Sequence, residues 1–418
     1  MARLRPLALP YTLATQCAFN PVNTAMSTDL STSQPALAPI QAALWARWFP
    51  GQGIRPPAWA RGLLLLATPL LLTLGALTAL VGRQRALAQQ RARRLEGQLV
   101  LSIGNAIVGG TGKTPACLMV VEALRELGHR PGVISRGYGR KAPDQVLVAC
   151  PSELGQIDAH QLGDEPWWLA WRGQVPVAVG ADRHQAALAL LARAPELTAL
   201  VLDDGLSQTS LRVDHHLLVL DHRGHGNHRC LPAGPLRMPW SGGPPEGLQI
   251  DAVLLREEAA DPTPLTWSIR PKPRLLQTST LTMGWTQLDL TSRDHPQKPL
   301  ASLPMETDRR MVLTTIAQPE RFYQTLRRQG LSWTETLRLP DHTPNPWRGL
   351  EQALQRPASA ADQLLMTEKD AVKFLSNANQ LSALLSRFPR GVWMLRQTMS
   401  LKTKAEDWLP AHHRPKRP

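Results

Sequence analysis

At 418 residues the chain exceeds the ~250–300 at which single hydrophobic cores stop growing, which argues against one compact domain and for two domains plus an extra segment. Its 47 Lys and Arg against 33 Asp and Glu leave a formal charge of +14, which favours anionic partners (nucleic acid, phosphorylated substrates, an acidic membrane leaflet) without choosing among them. Cys17, Cys117, Cys150 and Cys230 are scattered, with neither the paired spacing of a zinc site nor a small disulfide framework, and fit a reducing, cytosol-facing compartment.

Residues 1–39 are rich in Pro, Ser, Thr and Ala without a sustained apolar period, and read as a disordered extension, with Met26 as an alternative start. Residues 40–96 read as a membrane-associated segment. From Gly62 to Val81 there are 20 residues without a charge, long enough as a helix to cross ~30 Å of hydrocarbon. Arg47, Arg55 and Arg61 precede the run, and Arg83, Arg85, Arg91, Arg93 and Arg94 follow it, suiting anionic headgroups on the cytoplasmic side; Trp45, Trp48 and Trp59 suit the interface. A buried core helix is the alternative, because Pro69 and Gly75 weaken a spanning helix without forbidding it. Crossing the bilayer and lying in one leaflet both stay open. A cleaved signal peptide is disfavoured, since the run begins late and lacks a small-residue cleavage site. The segment reads as an anchor separable from the nucleotide core, which begins at Leu99.

"QLVLSIGNAIVGGTGKTPACLMVVEALRELG" predicts a strand from Leu99 to Ile103, a glycine-rich turn, and an amphipathic helix from about Lys113 to Leu127. Glycines let several backbone N–H groups converge on one anion at a helix N-terminus. Gly109, Gly110, Thr111, Gly112, Lys113 and Thr114 are therefore the candidate nucleotide-phosphate loop, Lys113 adding a point charge and Thr114 a hydroxyl for Mg²⁺. Ile107 stands where the usual G-x-x-x-x-G-K-[ST] pattern has its first glycine. Further strands at "RPGVIS", 175–180, 197–205 and 215–221 alternate with helices, which indicates a mostly parallel sheet covered by helices. Asp203 and Asp204 end one of them, where carboxylates beside a phosphate loop can hold Mg²⁺ or its waters; the alternative is an aspartate pair that opens a turn. Beyond 260 the pattern gives strands near 264–270 and 310–316, a helix from Pro319 to Gln329, a surface linker at "SRDHPQKPLASLPMETDRR" and a basic disordered tail, "HHRPKRP".

Taken in order, "VGGTGKTP", "PGVISRGYGR", "GDEP", "VPVAVGADR", "DDGL", "GNHRCLPAGPLR", "PERFYQTLRRQG", "LPDH" and "TEKDAVK" resemble the tetraacyldisaccharide 4′-kinase family. The resemblance implies a P-loop NTPase-like three-layer α/β/α core (97–260), a second, smaller α/β domain (261–418) closing an active-site cleft, and an N-terminal hydrophobic membrane helix. It implies ATP and Mg²⁺, transfer of the γ-phosphate to the 4′-hydroxyl of a tetraacylated glucosamine disaccharide 1-phosphate to give lipid IVA, and membrane attachment. Asp164 of "GDEP" and His342 of "LPDH" match the family's catalytic dyad, in which a carboxylate-oriented imidazole draws the proton from the acceptor hydroxyl. Read without it, Asp164 is a helix N-cap and His342 a loop histidine. Tyr138 and Arg183 match substrate-pocket positions, and Arg136 and Arg237 are further phosphate-binding candidates.

Two stretches depart from the family. Ser207 and Gln208 stand where Gln and His are expected, and Met238 stands where a Glu follows "GPLR"; both sites are expected near metal and phosphates. Methionine cannot replace a carboxylate on Mg²⁺, which leaves Thr114, Asp203, Asp204, nucleotide oxygens and water. The alternatives are a membrane-tethered P-loop NTPase without a small-molecule acceptor, or a catalytically weakened paralogue. There is no guanine-reading "NKxD", no recognisable nucleic-acid module, and no sign of an obligate protein partner.

Overall fold

The computed structural model describes residues 28–29, 38–51, 54–240, 243–256, 273–293, 296–300, 302–303, 307, 309–316, 319–340, 343, 346–355 and 361–408. Most of the expected extension 1–39, the expected strand at 264–270, His342 and the basic tail lie outside them.

Thirteen strands are described: β1 (Thr28–Asp29), β2 (Leu99–Gly104), β3 (Pro131–Ser135), β4 (Leu147–Ala149), β5 (Val177–Val179), β6 (Ala199–Asp203), β7 (His215–Leu220), β8 (Ala252–Arg256), β9 (Arg274–Gln287), β10 (Arg310–Thr314), β11 (Glu335–Arg338), β12 (Gln363–Thr367) and β13 (Val392–Leu401). They form one sheet in the order β1-β11-β10-β12-β13-β9-β8-β7-β2-β6-β3-β5-β4. Every pair is parallel except β4 with β5 and β9 with β13. The strands before and after residue 260 thus share one ladder. β9 joins them, parallel to β8 on one side and antiparallel to β13 on the other.

The helices are α1 (Ala38–Trp48), α2 (Ala58–Leu66), α3 (Thr68–Gln89), α4 (Lys113–Glu126), α5 (Ala159–Leu162), α6 (Asp164–Gly173), α7 (Arg183–Arg193), α8 (Pro319–Arg328), α9 (Pro346–Leu354), α10 (Glu368–Leu375) and α11 (Ala378–Arg387). β2 shows how they cover both faces. Leu99, Leu101 and Ile103 pack with α4 residues such as Ala116 and Val120, whereas Val100 packs with Ala186 and Leu190 of α7. Because strand side chains alternate with period two, a strand buried on both sides must read as a continuous apolar run, as this one does.

The uncharged run at 62–81 is not one straight helix. α2 and α3 meet at a 60° bend, and among the described residues no single helix is long and apolar enough to cross a membrane. Pro69, in the first turn of α3, has no N–H to continue the helical ladder, so the break falls just before it. α3 lies on the body of the protein along Gly75, Gly82, Ala86 and Gln89. Its glycines are contact points: a Cβ on Gly75 would stand 3.0 Å from the Cys230 carbonyl oxygen, and one on Gly82 would stand 2.8 Å from the Met238 Cβ. The opposite side carries exposed Leu70, Leu74, Leu77 and Leu80, continuing Leu65 and Leu66 of α2.

Candidate active site

β2, β6 and β7 are adjacent and parallel, so their C-terminal ends deliver Asn105, Asp203 and Asp221 to one rim, where open α/β sheets bind ligands. The glycine loop follows β2. Gly109 and Gly112 take φ of +93° and +91°, a conformation glycine adopts without strain. α4 then begins at Lys113, with Thr114 in its first turn. Gly109 and Gly110 are exposed, and Thr111 is buried.

Ile107 fits its position. It is fully buried and bridges Leu236 in an antiparallel pair. The Val108 N–H donates to the Pro235 carbonyl at 2.9 Å, and the Arg237 N–H to the Ala106 carbonyl at 2.9 Å. The loop therefore enters through a short two-stranded clamp that needs an apolar residue to pack, where the usual pattern has glycine.

Lys113 Nζ donates to Asn105 Oδ1 at 3.0 Å and lies 3.5 Å from Asp204 Oδ1. Asn105 Nδ2 in turn donates to the Ile107 carbonyl at 2.7 Å, so Asn105 holds both the lysine and the loop. Sequence reasoning missed it; the residue immediately after the strand was its one signal. Arg237 Nη1 donates to both oxygens of Asp204, at 2.9 and 2.6 Å, which puts Arg237, expected on substrate, against an expected metal carboxylate. Burial works to raise the Asp204 pKa, but Lys113 and Arg237 outweigh it and hold the group below its ordinary value. Asp203 is 1% exposed and accepts a long hydrogen bond from Ser135 Oγ. Burial first, then the charges of Glu165 and Asp204, push its carboxyl up to about 7. Its Oδ1 is buried without a hydrogen-bond partner among the described residues. An orphaned, desolvated carboxylate oxygen, a second aspartate next to it in sequence and the Thr114 hydroxyl in the first turn of α4 are hard oxygens of the kind that suits Mg²⁺.

Two of the three departing residues, Met238 and Gln208, have a local structural role. Met238 is 2% exposed and belongs to an apolar cluster with Ala86, Leu236 and Trp240, against Gly82 of α3. The expectation that position 238 faces the metal is not met: Arg237 reaches Asp204, while Met238 is buried in this apolar cluster. Gln208 accepts from the N–H groups of Ser210 and Leu211 at 3.0 and 2.9 Å, shaping its own loop. Ser207 is half-buried.

Arg183 is buried and donates through Nη1 to the Gly180 and Ala181 carbonyls at 2.6 and 3.0 Å. Burial, then the neighbouring Arg136, lowers its pKa to about 10. Tyr138 is 78% exposed, and Arg136 is exposed.

Asp164 is the first residue of α6, not its N-cap, which is Gly163. Its Oδ2 lies 3.7 Å from Lys373 Nζ, whose side chain is 1% exposed. Lys373, from α10, also donates to Thr315 Oγ1 at 2.7 Å and to the Thr343 carbonyl at 2.9 Å. Asp370 accepts from both the N–H and the Oγ1 of Thr315 at 2.7 Å. Lys369 with Glu165 at 3.7 Å and Glu368 with Arg172 at 3.3 Å continue the contact between α6 and α10. "TEKDAVK" is therefore the strip that binds the strands after 260 to the helix that carries Asp164. Its role was not legible, since its partners lie far away in sequence.

A sequence profile described as "Tetraacyldisaccharide-1-P 4'-kinase" matches residues 67–414. The curated tetraacyldisaccharide 4'-kinase of Methylibium petroleiphilum is 39% identical over 343 residues, covering 81% of this chain and 85% of that protein. That of Leptothrix cholodnii is 40% identical over 307 residues, covering 72% and 79%. Among solved structures, the "apo" form of LpxK from Aquifex aeolicus in complex with ATP has the same fold, with a TM-score of 0.59 at 22% identity, covering 79% of this chain and 94% of that one.

Proposed function

The chain belongs to the tetraacyldisaccharide 4′-kinase family, and we propose that the glycine loop, the paired aspartates and Asp164 form one phosphoryl-transfer site at the carboxyl rim of the sheet. It is a kinase that moves the γ-phosphate of ATP to the 4′-hydroxyl of a tetraacylated glucosamine disaccharide 1-phosphate, giving lipid IVA. The observation that carries the site assignment is Lys113 held between Asn105 and Asp204 at the start of α4.

Residues 109–114 cradle the ATP phosphates through backbone N–H groups and the N-terminus of α4. Lys113 offsets charge that grows on the transferred group. Thr114, Asp203 and Asp204 would hold Mg²⁺, which supplies charge neutralisation between the phosphate oxygens. Asp164 and His342 serve the acceptor: the imidazole takes the proton of the attacking hydroxyl and the carboxylate orients it. Lys373 supports this division, because it links Asp164 to the carbonyl of Thr343, the residue after His342. Tyr138, Arg136 and Arg183 are assigned to the acceptor's side of the site. The division into a nucleotide-binding core at 97–260 and a closing domain at 261–418 is retained in this reading, with β9 and β13 as the join.

The acceptor is a lipid, and the exposed leucines of α2 and α3 give the chain a way to meet it. A contiguous apolar face of this size on a monomer marks an interaction surface. Because α3 is fastened to the body along its small-residue side and bends 60° from α2, the pair enters one leaflet with arginines at its edges and does not cross. On this reading the site lies at the cytoplasmic surface of the inner membrane, in contact with anionic lipids.

Phosphate transfer from ATP to purified disaccharide lipid, measured beside ATP hydrolysis in its absence, tests the reading. Lipid-dependent transfer is the expected result. Hydrolysis indifferent to the lipid would replace the kinase with a tethered NTPase.

A further inference from the structure

α1 sits where an anchor alone is expected, yet its Trp45 reaches the nucleotide loop beside Gly109. Arg223 lies three residues beyond β7 and is packed under α1, with its guanidinium carbon 5.6 Å from the ring centroid of Trp45 and 5.3 Å from that of Phe49. Arg223 Nε donates to both oxygens of Asp221 at 3.1 and 3.0 Å, and Nη2 donates to Asp221 at 2.6 Å; both side chains are 1% exposed. The same Nη2 donates to the Gly110 carbonyl at 2.9 Å. Nη1 lies 3.3 Å from where a Cβ on Gly109 would stand, and Trp45 Cη2 lies 3.6 Å from that point.

The guanidinium is thus fixed on one edge by a carboxylate and covered on one side by two aromatic rings, whose centroids lie 4.8 Å apart. What it fixes in turn is a peptide plane. In a trans peptide the C=O and the following N–H point in opposite directions. Holding the Gly110 carbonyl toward Arg223 therefore turns the Thr111 N–H away from Arg223. α1 is seated independently of this brace: Trp48 Nε1 donates to the Pro232 carbonyl at 3.1 Å, and the Asn227 N–H donates to the Trp48 carbonyl at 2.8 Å.

We propose that Arg223 is a positioning residue for the phosphate loop, and that α1 with the residue that follows it, through Trp45 and Phe49, is a working part of the nucleotide site as well as of the membrane-facing segment. This rests on the assignment of residues 109–114 to ATP. It replaces the expectation of a separable anchor: lifting α1 frees Arg223, and with it the peptide between Gly110 and Thr111.

The test uses the full chain in detergent micelles and compares the parent with Arg223→Lys, Trp45→Leu/Phe49→Leu and Lys113→Ala. Equilibrium ATP binding, KM for ATP, KM for the disaccharide lipid and the thermal midpoint are measured for each. Arg223→Lys keeps the charge but not the fork, and the leucine pair keeps an apolar cover without the rings. Both are expected to weaken ATP binding and raise KM for ATP about tenfold, the scale of one lost charged hydrogen bond. The lipid KM and the thermal midpoint should stay near the parent's. If both variants bind ATP like the parent while Lys113→Ala does not, the positioning role is overturned and the loop assignment stands. If Lys113→Ala both binds ATP and transfers phosphate like the parent, the loop assignment itself falls. A lowered midpoint with unchanged ATP affinity in Arg223→Lys would reduce Arg223 to a purely structural residue and overturn the proposal.

Discussion

Lys373 and Asp164 meet across the contact between α10 and α6, Nζ to Oδ2 at 3.7 Å, with the lysine side chain 1% exposed. A buried ammonium is tolerated when its donors are used. Here Thr315 and the Thr343 carbonyl take the others. The lysine therefore fixes the position of Asp164 relative to the strands after residue 260.

Lys373→Met should lower kcat about a hundredfold, the size of effect that follows from misplacing a catalytic group by ~1 Å, while KM for ATP changes little, since no bond to the glycine loop is touched. Thermal unfolding of the same variant should show a loss on the order of 3 kcal/mol for the uncompensated partners. A kcat equal to the parent's in folded protein would remove Lys373 from the positioning of Asp164.

Lys113→Ala should reduce kcat by about 10²–10³-fold with the fold intact, because the deleted charge acts most strongly on the transition state. It also strips Asp204 of one of its two cations. A Mg²⁺ titration should show the consequence as a changed metal requirement. Unchanged transfer would take the glycine loop out of the mechanism.

Much of this site was legible because its signals are local. β2, the glycine turn and α4 occupy one continuous stretch in which a short apolar run gives way to a helical period, and Asp203 closes a second short apolar run of the kind that strands buried on both faces show. Ile107, Asn105 and Lys373 were not legible in the same way. Ile107 answers to Leu236, and Lys373 answers to Thr315 and Thr343, so their reasons exist only once distant segments pair. The apolar run at 62–81 was legible as an uncharged stretch, and the structure leaves Leu70, Leu74, Leu77 and Leu80 exposed along it. The run could not give the bend at Pro69 or the docking of Gly75 and Gly82, because a glycine that weakens a helix and a glycine that admits a neighbour look alike in sequence.

Burial lowers the pKa of His216, in β7, to about 4, against an ordinary 6.5. The unfolded chain then binds a proton between pH 6.5 and 4 that the folded chain does not, so stability must fall as pH drops through that window. The loss is at most about 3 kcal/mol by pH 4. His216→Gln should flatten the slope of unfolding free energy against pH there, leaving the region above pH 7 unchanged. Equal slopes for parent and variant would mean that His216 does not carry the acid sensitivity.

Met238 offers a test of which way the segment after Arg237 faces. If its side chain were at the metal, Met238→Glu would add a hard oxygen ligand and lower the Mg²⁺ concentration needed for half-maximal transfer. The packing against Gly82, with Met238 only 2% exposed, requires the opposite. A carboxylate there is desolvated without a partner, which costs several kcal/mol or forces α3 away from the body. Met238→Leu, close in volume, should cost under about 1.5 kcal/mol and leave transfer unaltered. Met238→Glu should lower the thermal midpoint and weaken the seating of α3, read as faster proteolysis around residues 83–91, without any leftward shift of the Mg²⁺ curve. A leftward shift in a fully stable Met238→Glu protein would show that the side chain reaches the metal after all, and that Gly82 marks a contact made by backbone alone.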